Sequence, residues 1–287
     1  MFSFYAIIKE ELILKSEEDG DIWEHKFRGQ PFTTIHRHTE LEVNLVVSGT
    51  ASYLLEGTRY ELRANSLVWL FPEQNHILVD QSADYLMWIG VFKPELVNRL
   101  CVNPANAVLA ELNPLGNFCK QLDTTRSYRL GALFKELQEG RADTSRYNVG
   151  LGYLMLLAWD AFQASNQFVS STVIHPAVKQ AIQVIQHVDA SIGVQDLANR
   201  VGLSVSRLSH LFKEQTGLSL IEFQNNHCLK RFLELHDDEP SITMLDAALQ
   251  AGFGSYPQFY RVFKRLTGQN PAQYFRNYSA TPADHWS

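Results

Sequence analysis

The chain has 287 residues, 45% hydrophobic and 20% charged, with 25 basic against 31 acidic side chains and a formal net charge of −6. That length exceeds the usual single domain, and the composition excludes disordered, low-complexity and disulfide-framework chains, since Cys101, Cys119 and Cys228 form no C-x-x-C pair. Free thiols and a cytoplasmic setting are expected: acids interrupt the N-terminus before any signal-peptide-like run, and the apolar stretch Tyr153 to Trp159 is too short to span a bilayer.

From Phe27 to Phe92, short β-rich runs follow one another: Glu42 to Val47, Ala51 to Leu55, Ser66 to Phe71, His76 to Val79 and Tyr85 to Phe92. Gly49, Gly57, Asn65 and Pro72 punctuate them as turns do, which predicts an antiparallel barrel or sandwich. At its start stands His36-Arg-His38-Thr-Glu-Leu-Glu42, with His76 further on. Imidazoles and a carboxylate suit a polar ligand pocket, a divalent transition metal or a hydrogen-bonded rim. The expectation is an effector-binding set of His36, His38, Glu42, Tyr53, Trp69, His76 and Trp88, the aromatics with Phe71 forming walls, although each aromatic serves equally as core. No catalytic residue and no cofactor is expected. Metal ligation by His36, His38, Glu42 and His76 is the alternative.

After Pro94 the spacing turns helical, with helices expected around residues 105–122, 126–140 and 146–166. Leu130, Leu133, Phe134 and Leu137 repeat at i, i+3, i+4 and i+7, a buried face for the barrel or a second copy. Ser165 to Pro176, rich in Ser, Asn and Thr, reads as a linker. Acidic excess is confined to the part before it: residues 1–174 hold 15 basic and 21 acidic side chains, residues 175–287 hold 10 of each. Whole-chain charge therefore does not exclude a nucleic-acid partner, which responds to local basic surface.

The last hundred residues contain an internal repeat. Gly202-Leu-Ser-Val-Ser-Arg-Leu-Ser-His-Leu-Phe-Lys-Glu-Gln-Thr-Gly217 aligns with Gly252 to Gly268, gap-free from Phe212 and Phe263 onward, with Phe223 and Tyr274 six residues beyond. The turn is one residue longer in the second copy. Each copy begins with a short helix, Val194 to Val201 or Thr243 to Ala251; a glycine ends it, and Ser204 or Ser255 is placed to cap the next. Leu208, Leu211 and Phe212 form one buried stripe, and Phe259, Val262 and Phe263 the other. The opposite faces offer Ser206, Arg207, Ser209, His210 and Lys213 in the first copy, and Tyr256, Pro257, Tyr260, Arg261, Lys264 and Arg265 in the second. Neither stretch, Leu203 to Lys213 or Ser255 to Arg265, contains an acid. A helical-hairpin repeat with solvated basic faces would share this pattern once; its recurrence points to paired helix-turn-helix units that enter major grooves of double-stranded DNA.

The run Asp196-Leu-Ala, Gly202-Leu-Ser, Leu208-Ser-His-Leu-Phe-Lys, Gly217-Leu-Ser, then Ala248, Gly252-Phe, Phe259-Tyr-Arg-Val-Phe-Lys, Gly268-Gln-Asn-Pro271 and Tyr274 resembles the AraC/XylS DNA-binding domain. The resemblance implies two helix-turn-helix units (about 194–216 and 243–267) joined by a long helix (about 219–235) within a domain of residues 178–279. It also implies base-contacting positions at Ser206, Ser209, His210, Tyr256, Pro257, Tyr260 and Arg261. His227 stands where the family often has arginine, in an uncharged Asn225-Asn-His-Cys stretch, and Pro257 has no hydrogen-bonding side chain. His36 to Gly49 likewise resembles the first cupin motif, while Pro72 to His76 departs from the second.

The expected fold class is therefore α+β. A cupin-like sensing barrel (1–100), a helical dimerisation region (101–167) and a linker (168–177) precede the all-α double helix-turn-helix domain. The implied function is transcription regulation, with activation as the family habit. The implied partners are double-stranded DNA, a small effector such as a sugar or metabolite, RNA polymerase and a second copy of the chain; no membrane is implied. A metal-dependent cupin enzyme fused to a DNA-binding module, or a regulator without an effector, are the rivals.

Overall fold

The computed structural model describes residues 12–27, 36–187, 191–238 and 241–278, so the N-terminal segment judged unlike a signal peptide lies outside the described residues. Described residues up to Thr172 form one compact unit, and those from Val173 onward a second.

The first unit is built on antiparallel strands β1 (Gly20–Lys26), β2 (Leu41–Ser48), β3 (Thr50–Leu55), β4 (Thr58–Arg63), β5 (Ser66–Leu70), β6 (His76–Val79), β7 (Leu86–Phe92) and β8 (Cys119–Gln121), with β9 (Ser171–Val173) at an edge. They form a five-stranded sheet in the order β1-β7-β2-β5-β8 and a four-stranded sheet in the order β6-β3-β4-β9. Alternate side chains of a strand face opposite sides. Val46, Val68, Leu70, Met87, Ile89 and Val91 accordingly turn toward one core with Tyr53, Leu55, Tyr60 and Tyr85. Leu41, Val43, Leu45, Leu67, Trp69, Trp88 and Phe92 turn the other way, into a core shared with the helices.

Those helices are α1 (Pro94–Leu100), α2 (Thr124–Glu139) and α3 (Thr144–Ala164). The stripe expected on α2 is buried at Leu130, Phe134 and Leu137, with Phe134 stacked on Trp88 at 5.5 Å between ring centroids. Asp123 and Asp143 cap α2 and α3 through the backbone N–H of Arg126 and Arg146. The helix expected over 105–122 is not formed. A short 3-10 turn at Ala107–Ala110 is followed by loop and then β8, because Pro114 and Gly116 interrupt any helical run between them. The stretch expected to link the domains carries β9, whose Ser-Thr-Val is too short to announce a strand.

Two polar ties hold the helices to the sheets. Lys120 on β8 donates to the carbonyls of Phe162 and Ser165 at 3.0 and 2.7 Å, satisfying acceptors at the end of α3. Arg141, in the α2–α3 turn, donates to Glu18 at 2.6 Å and pairs with Asp21 at 2.8 Å. Burial of Glu18 favours its neutral form, but hydrogen bonds from Arg141 and Lys15 outweigh it and hold its pKa below the ordinary carboxylate value.

The second unit is helical: α4 (Pro176–His187), α5 (Val194–Arg200), α6 (Val205–Thr216), α7 (Leu220–Asp238), α8 (Met244–Gln250), α9 (Tyr256–Thr267) and α10 (Pro271–Tyr278). The sequence repeat recurs bond for bond. Gly202 (φ 72°) and Gly252 (φ 103°) end α5 and α8 in the left-handed region. Behind them, the Leu203 N–H donates to Ala198 and the Phe253 N–H to Ala248, each at 3.0 Å. Ser204 and Ser255 cap α6 and α9 as expected, and the extra residue of the second turn is Gly254. At the far ends, Thr216 and Thr267 donate to Phe212 and Phe263, each at 2.8 Å, and Gly217 and Gly268 close both helices at φ 74°. Phe223 and Tyr274 meet Phe212 and Phe263 edge-on at 5.4 and 5.3 Å. Ser219 and Glu222 form a reciprocal capping box at the start of α7, an S-x-x-E signal present in the sequence.

Arg141→Ala is expected to destabilise the first unit by about 1–3 kcal/mol, since Glu18 is left buried without its main donor. Glu18 has a depressed folded pKa, so its contribution is complete above the ordinary value of 4.5 and lost as pH falls below it. Urea midpoints measured across that range should drop for the wild type and drop less for the variant. In the second unit, a Cβ on Gly268 would meet nothing within 4 Å. Gly268→Ala should therefore cost about 1–2 kcal/mol through backbone conformation alone, with Gly268→Asn recovering part of it in the same unfolding assay.

Candidate nucleic-acid interface and barrel polar cluster

In the second unit each glycine turn presents the following helix with its apolar stripe inward. Leu208, Leu211 and Phe212 of α6 and Phe259, Val262 and Phe263 of α9 are all buried. The opposite faces are open: Ser206, Arg207, His210 and Lys213 on α6 are exposed and Ser209 half-exposed, while Tyr256, Pro257, Tyr260, Arg261, Lys264 and Arg265 on α9 are exposed. The five polar side chains expected on α6 thus share one accessible face, as do the residues expected on α9. Pro257 lies in the first turn of α9, where its missing N–H costs no helical bond. The uncharged stretch of α7 has a structural explanation, since Asn225, Asn226, His227 and Cys228 are all buried. A cleft beside α9 is lined by Ile221 and Asn225 of α7 with Gln258, Arg261 and Arg265. Three cations on and beside an acid-free surface can pair with phosphates, and short hydroxyls, tyrosines and Arg261 can reach base edges.

In the first unit, β2 supplies the centre of a polar cluster. Glu42 pairs across the sheet with Leu70 and Val91, which fixes its side chain on the interior face. His38 Nε2 lies 2.7 Å from Glu42 Oε2, and Asn44 Nδ2 donates to Glu42 Oε1 at 2.7 Å and to the Tyr53 hydroxyl at 3.1 Å. His76 joins from β6, bridged through its backbone to His36. His38, Glu42 and His76 are all buried, and one ligand atom of each lies within 4.8 Å of the others. His36 is adjacent, its ring 4.3 Å from that of His76, but it is outside that group of three.

Burial disfavours charge on His38, yet hydrogen bonds to Glu40 and Glu42 outweigh it and raise the imidazole well above its ordinary value. Burial likewise opposes ionisation of Glu42, and the His38 hydrogen bond keeps its pKa low nonetheless. His76 is pushed down to about 3, first by burial and then by its histidine neighbours. It is therefore neutral. Its Nδ1 sits 3.0 Å from the Gln74 carbonyl, which can only accept, so Nδ1 carries the proton and Nε2 keeps a lone pair.

Trp69 and Trp88 are not brought to this cluster. Their cross-strand partners are Val43 and Leu45, the outward residues of β2, so both indoles belong to the helix-facing core with Phe71. Tyr53 does reach it. Sequence reasoning missed Asn44 and Glu40; a strand reading that put Glu42 inward also puts Asn44 inward, two residues on.

Comparison with known proteins matches two family models: an AraC-like ligand binding domain over residues 24–146 and a helix-turn-helix domain over residues 197–277. The chain belongs to the AraC family. An arabinose operon regulatory protein of Salmonella typhimurium is 26% identical over 158 residues, 53% of this chain and 55% of its own. That of Escherichia coli is 30% identical over 107 residues, 35% of this chain and 36% of its own. The AraC-family match thus spans about half the length of the first relative and about a third of the second. A ToxT structure from Vibrio cholerae, 15% identical, covers 90% of this chain and 97% of its own at a TM-score of 0.35, too loose a superposition to argue from. Among the described residues, no helix is long and apolar enough to cross a membrane.

Asn44→Ala leaves a buried carboxylate oxygen and the Tyr53 hydroxyl without their shared donor. A loss of about 1–3 kcal/mol is expected in chemical unfolding. An unchanged midpoint would show that Glu42 Oε1 finds another donor.

Proposed function

We propose that this AraC-family chain is a sequence-specific transcription regulator that reads double-stranded DNA with α6 and α9 and is controlled by a small polar effector bound at the barrel cluster. The observation that carries the reading is the bond-for-bond repetition of a capped helix with a buried stripe and an exposed acid-free face. Residues Ser206, Arg207, Ser209, His210 and Lys213 contact DNA from the first unit, and Tyr256, Pro257, Tyr260, Arg261 and Lys264 from the second. Arg261 is best suited to a bidentate contact with guanine, and Lys213 and Lys264 to phosphates. The effector site comprises His36, His38, Glu42, Tyr53 and His76, to which Asn44 is added and from which Trp69 and Trp88 are removed. An effector can shift the protein between states only by binding them unequally.

The resemblance supports activation through RNA polymerase, action as a homodimer and a cytoplasmic setting, with no catalytic role for the chain. The names of the two arabinose operon regulators favour a sugar or similar metabolite as effector. Genome-wide mapping of bound sites supplies the operator, and fluorescence anisotropy on it tests the recognition helix. Arg261→Ala should weaken specific binding by about 1–3 kcal/mol and relax preference at one base position. Lys264→Ala should weaken all sequences alike and lower the salt dependence. Unaltered operator affinity in Arg261→Ala counts against α9 as a reading helix.

A further inference from the structure

We infer that the cleft between α7 and α9 binds the phosphate group of a small phosphate monoester, in competition with DNA. Binding itself is independent of the DNA-reading proposal; only the competition rests on it, through Arg261, which the two ligands would share.

The cleft is built from one face of each helix. Gln258, Arg261, Val262 and Arg265 stand at i, i+3, i+4 and i+7 on α9, and Ile221 and Asn225 stand at i and i+4 on α7. Phe232 of α7 holds the two helices together, its ring 4.3 Å from that of Phe259 and 5.9 Å from that of Phe263. The space between the lining residues is about 350 Å³, the size of a small-molecule site rather than of a bare ion.

Its donors are uncommitted. Asn225 is only 7% exposed, and its side-chain amide has no hydrogen-bond partner among the described residues. A buried amide left in that state is costly, and because Asn225 lines the cleft, a ligand there would supply the missing bond. Gln258 Oε1 accepts the Gly254 N–H at 3.1 Å, which leaves the Gln258 NH2, a donor only, for the cleft. Arg261 and Arg265 are exposed and form no ion pair among the described residues. Glu222, the acid that follows Ile221, is held by Ser219 in the capping box of α7.

This donor set selects the chemistry. Two guanidiniums match a phosphate monoester, which carries about −1.5 to −2 charges at neutral pH, and its three terminal oxygens can accept from two guanidinium forks and two amides together. A carboxylate brings one charge and two oxygens and would leave donors unused. Ile221 and Val262 add an apolar wall for the carbon skeleton of the ester. Occupancy takes the Arg261 guanidinium away from guanine, so the same molecule cannot hold operator and ester with full strength at once.

The test uses the full-length protein. Line broadening of inorganic phosphate and of glycerol phosphate in phosphorus NMR, at constant ionic strength, should be saturable with one site per chain. Arg265→Gln and Asn225→Leu should each weaken binding by at least about tenfold, the worth of one hydrogen bond to a charged group. Lys135→Gln, exposed on α2 in the first unit, should leave it unchanged. Circular dichroism verifies folding, and if Asn225→Leu does not fold, Arg265→Gln alone decides. Operator anisotropy on the same samples, with chloride replaced by phosphate at fixed ionic strength, should show displacement from the wild type and little from Arg265→Gln. Wild-type protein without saturable broadening, folded variants that bind as tightly as the wild type, or bound phosphate that leaves operator affinity unchanged overturns the inference. Variants that lose operator affinity while free phosphate never binds would assign the cleft to a backbone phosphate of DNA, which overturns it equally. Phosphate uptake by a protein that binds no operator would instead remove the DNA-reading proposal and leave the cleft assignment standing.

Discussion

A strand sends successive side chains to opposite faces, and β2 uses both faces for different work. Leu41, Val43 and Leu45 seal the sheet against α2 and α3, while Glu42 and Asn44 project into the interior. Because β2 is central, between β7 and β5, it cannot shift by one residue without turning each face toward the wrong environment. A one-residue slip would put a carboxylate among Trp69, Trp88 and Phe134. The apolar contacts of one face therefore determine where the charged groups of the other must stand. Burying Glu42 is unfavourable in isolation, and the His38 and Asn44 bonds make it tolerable rather than advantageous relative to an apolar core. Such a cluster is more readily understood as a binding feature than as a source of stability.

The helical unit obeys a different constraint. Its two turns share the same glycine position, the same backbone bonds behind it and the same threonine and glycine at the far end of the following helix. Only local geometry is needed to build each copy. The exposed face is consequently free to vary without disturbing the scaffold. Ser206, Ser209 and His210 in one copy stand against Tyr256, Tyr260 and Arg261 in the other.

This difference in origin explains what could be read in advance. Helix caps, glycine stops and the stripe Phe259, Val262 and Phe263 are local signals, and the residues bearing them sit as the sequence indicated. Strand pairing is not local. Nothing in the sequence states that Trp69 lies opposite Val43 rather than opposite Glu42, so the two tryptophans could be placed only once the register was known. Strands β1 and β4 escaped notice because β1 carries mixed polarity and β4 is short and charged, and both are recognisable chiefly by their partners β7 and β3. The helix expected over 105–122 does not form for the opposite reason: Pro114 and Gly116 are local breakers that override the apolar spacing around them. Convergence of His38 and Glu42 with His76, thirty-odd residues away, needed both sheets.

On the proposed reading, the two recognition faces should divide the work of binding unequally. On α6 the cations are Arg207 and Lys213, and Glu214 follows directly. On α9, Arg261, Lys264 and Arg265 lie within five positions with no acid among them. Phosphate attraction is additive and falls with salt, whereas hydroxyl and imidazole contacts to base edges depend on fit. The second unit would then carry more of the salt-dependent affinity and the first would respond more sharply to individual base changes. Tyr256 and Tyr260, each exposed at the start of α9, add apolar contact where Pro257 offers no donor. That compensates within the same helical turn for the one position at which direct hydrogen-bonded reading is unavailable.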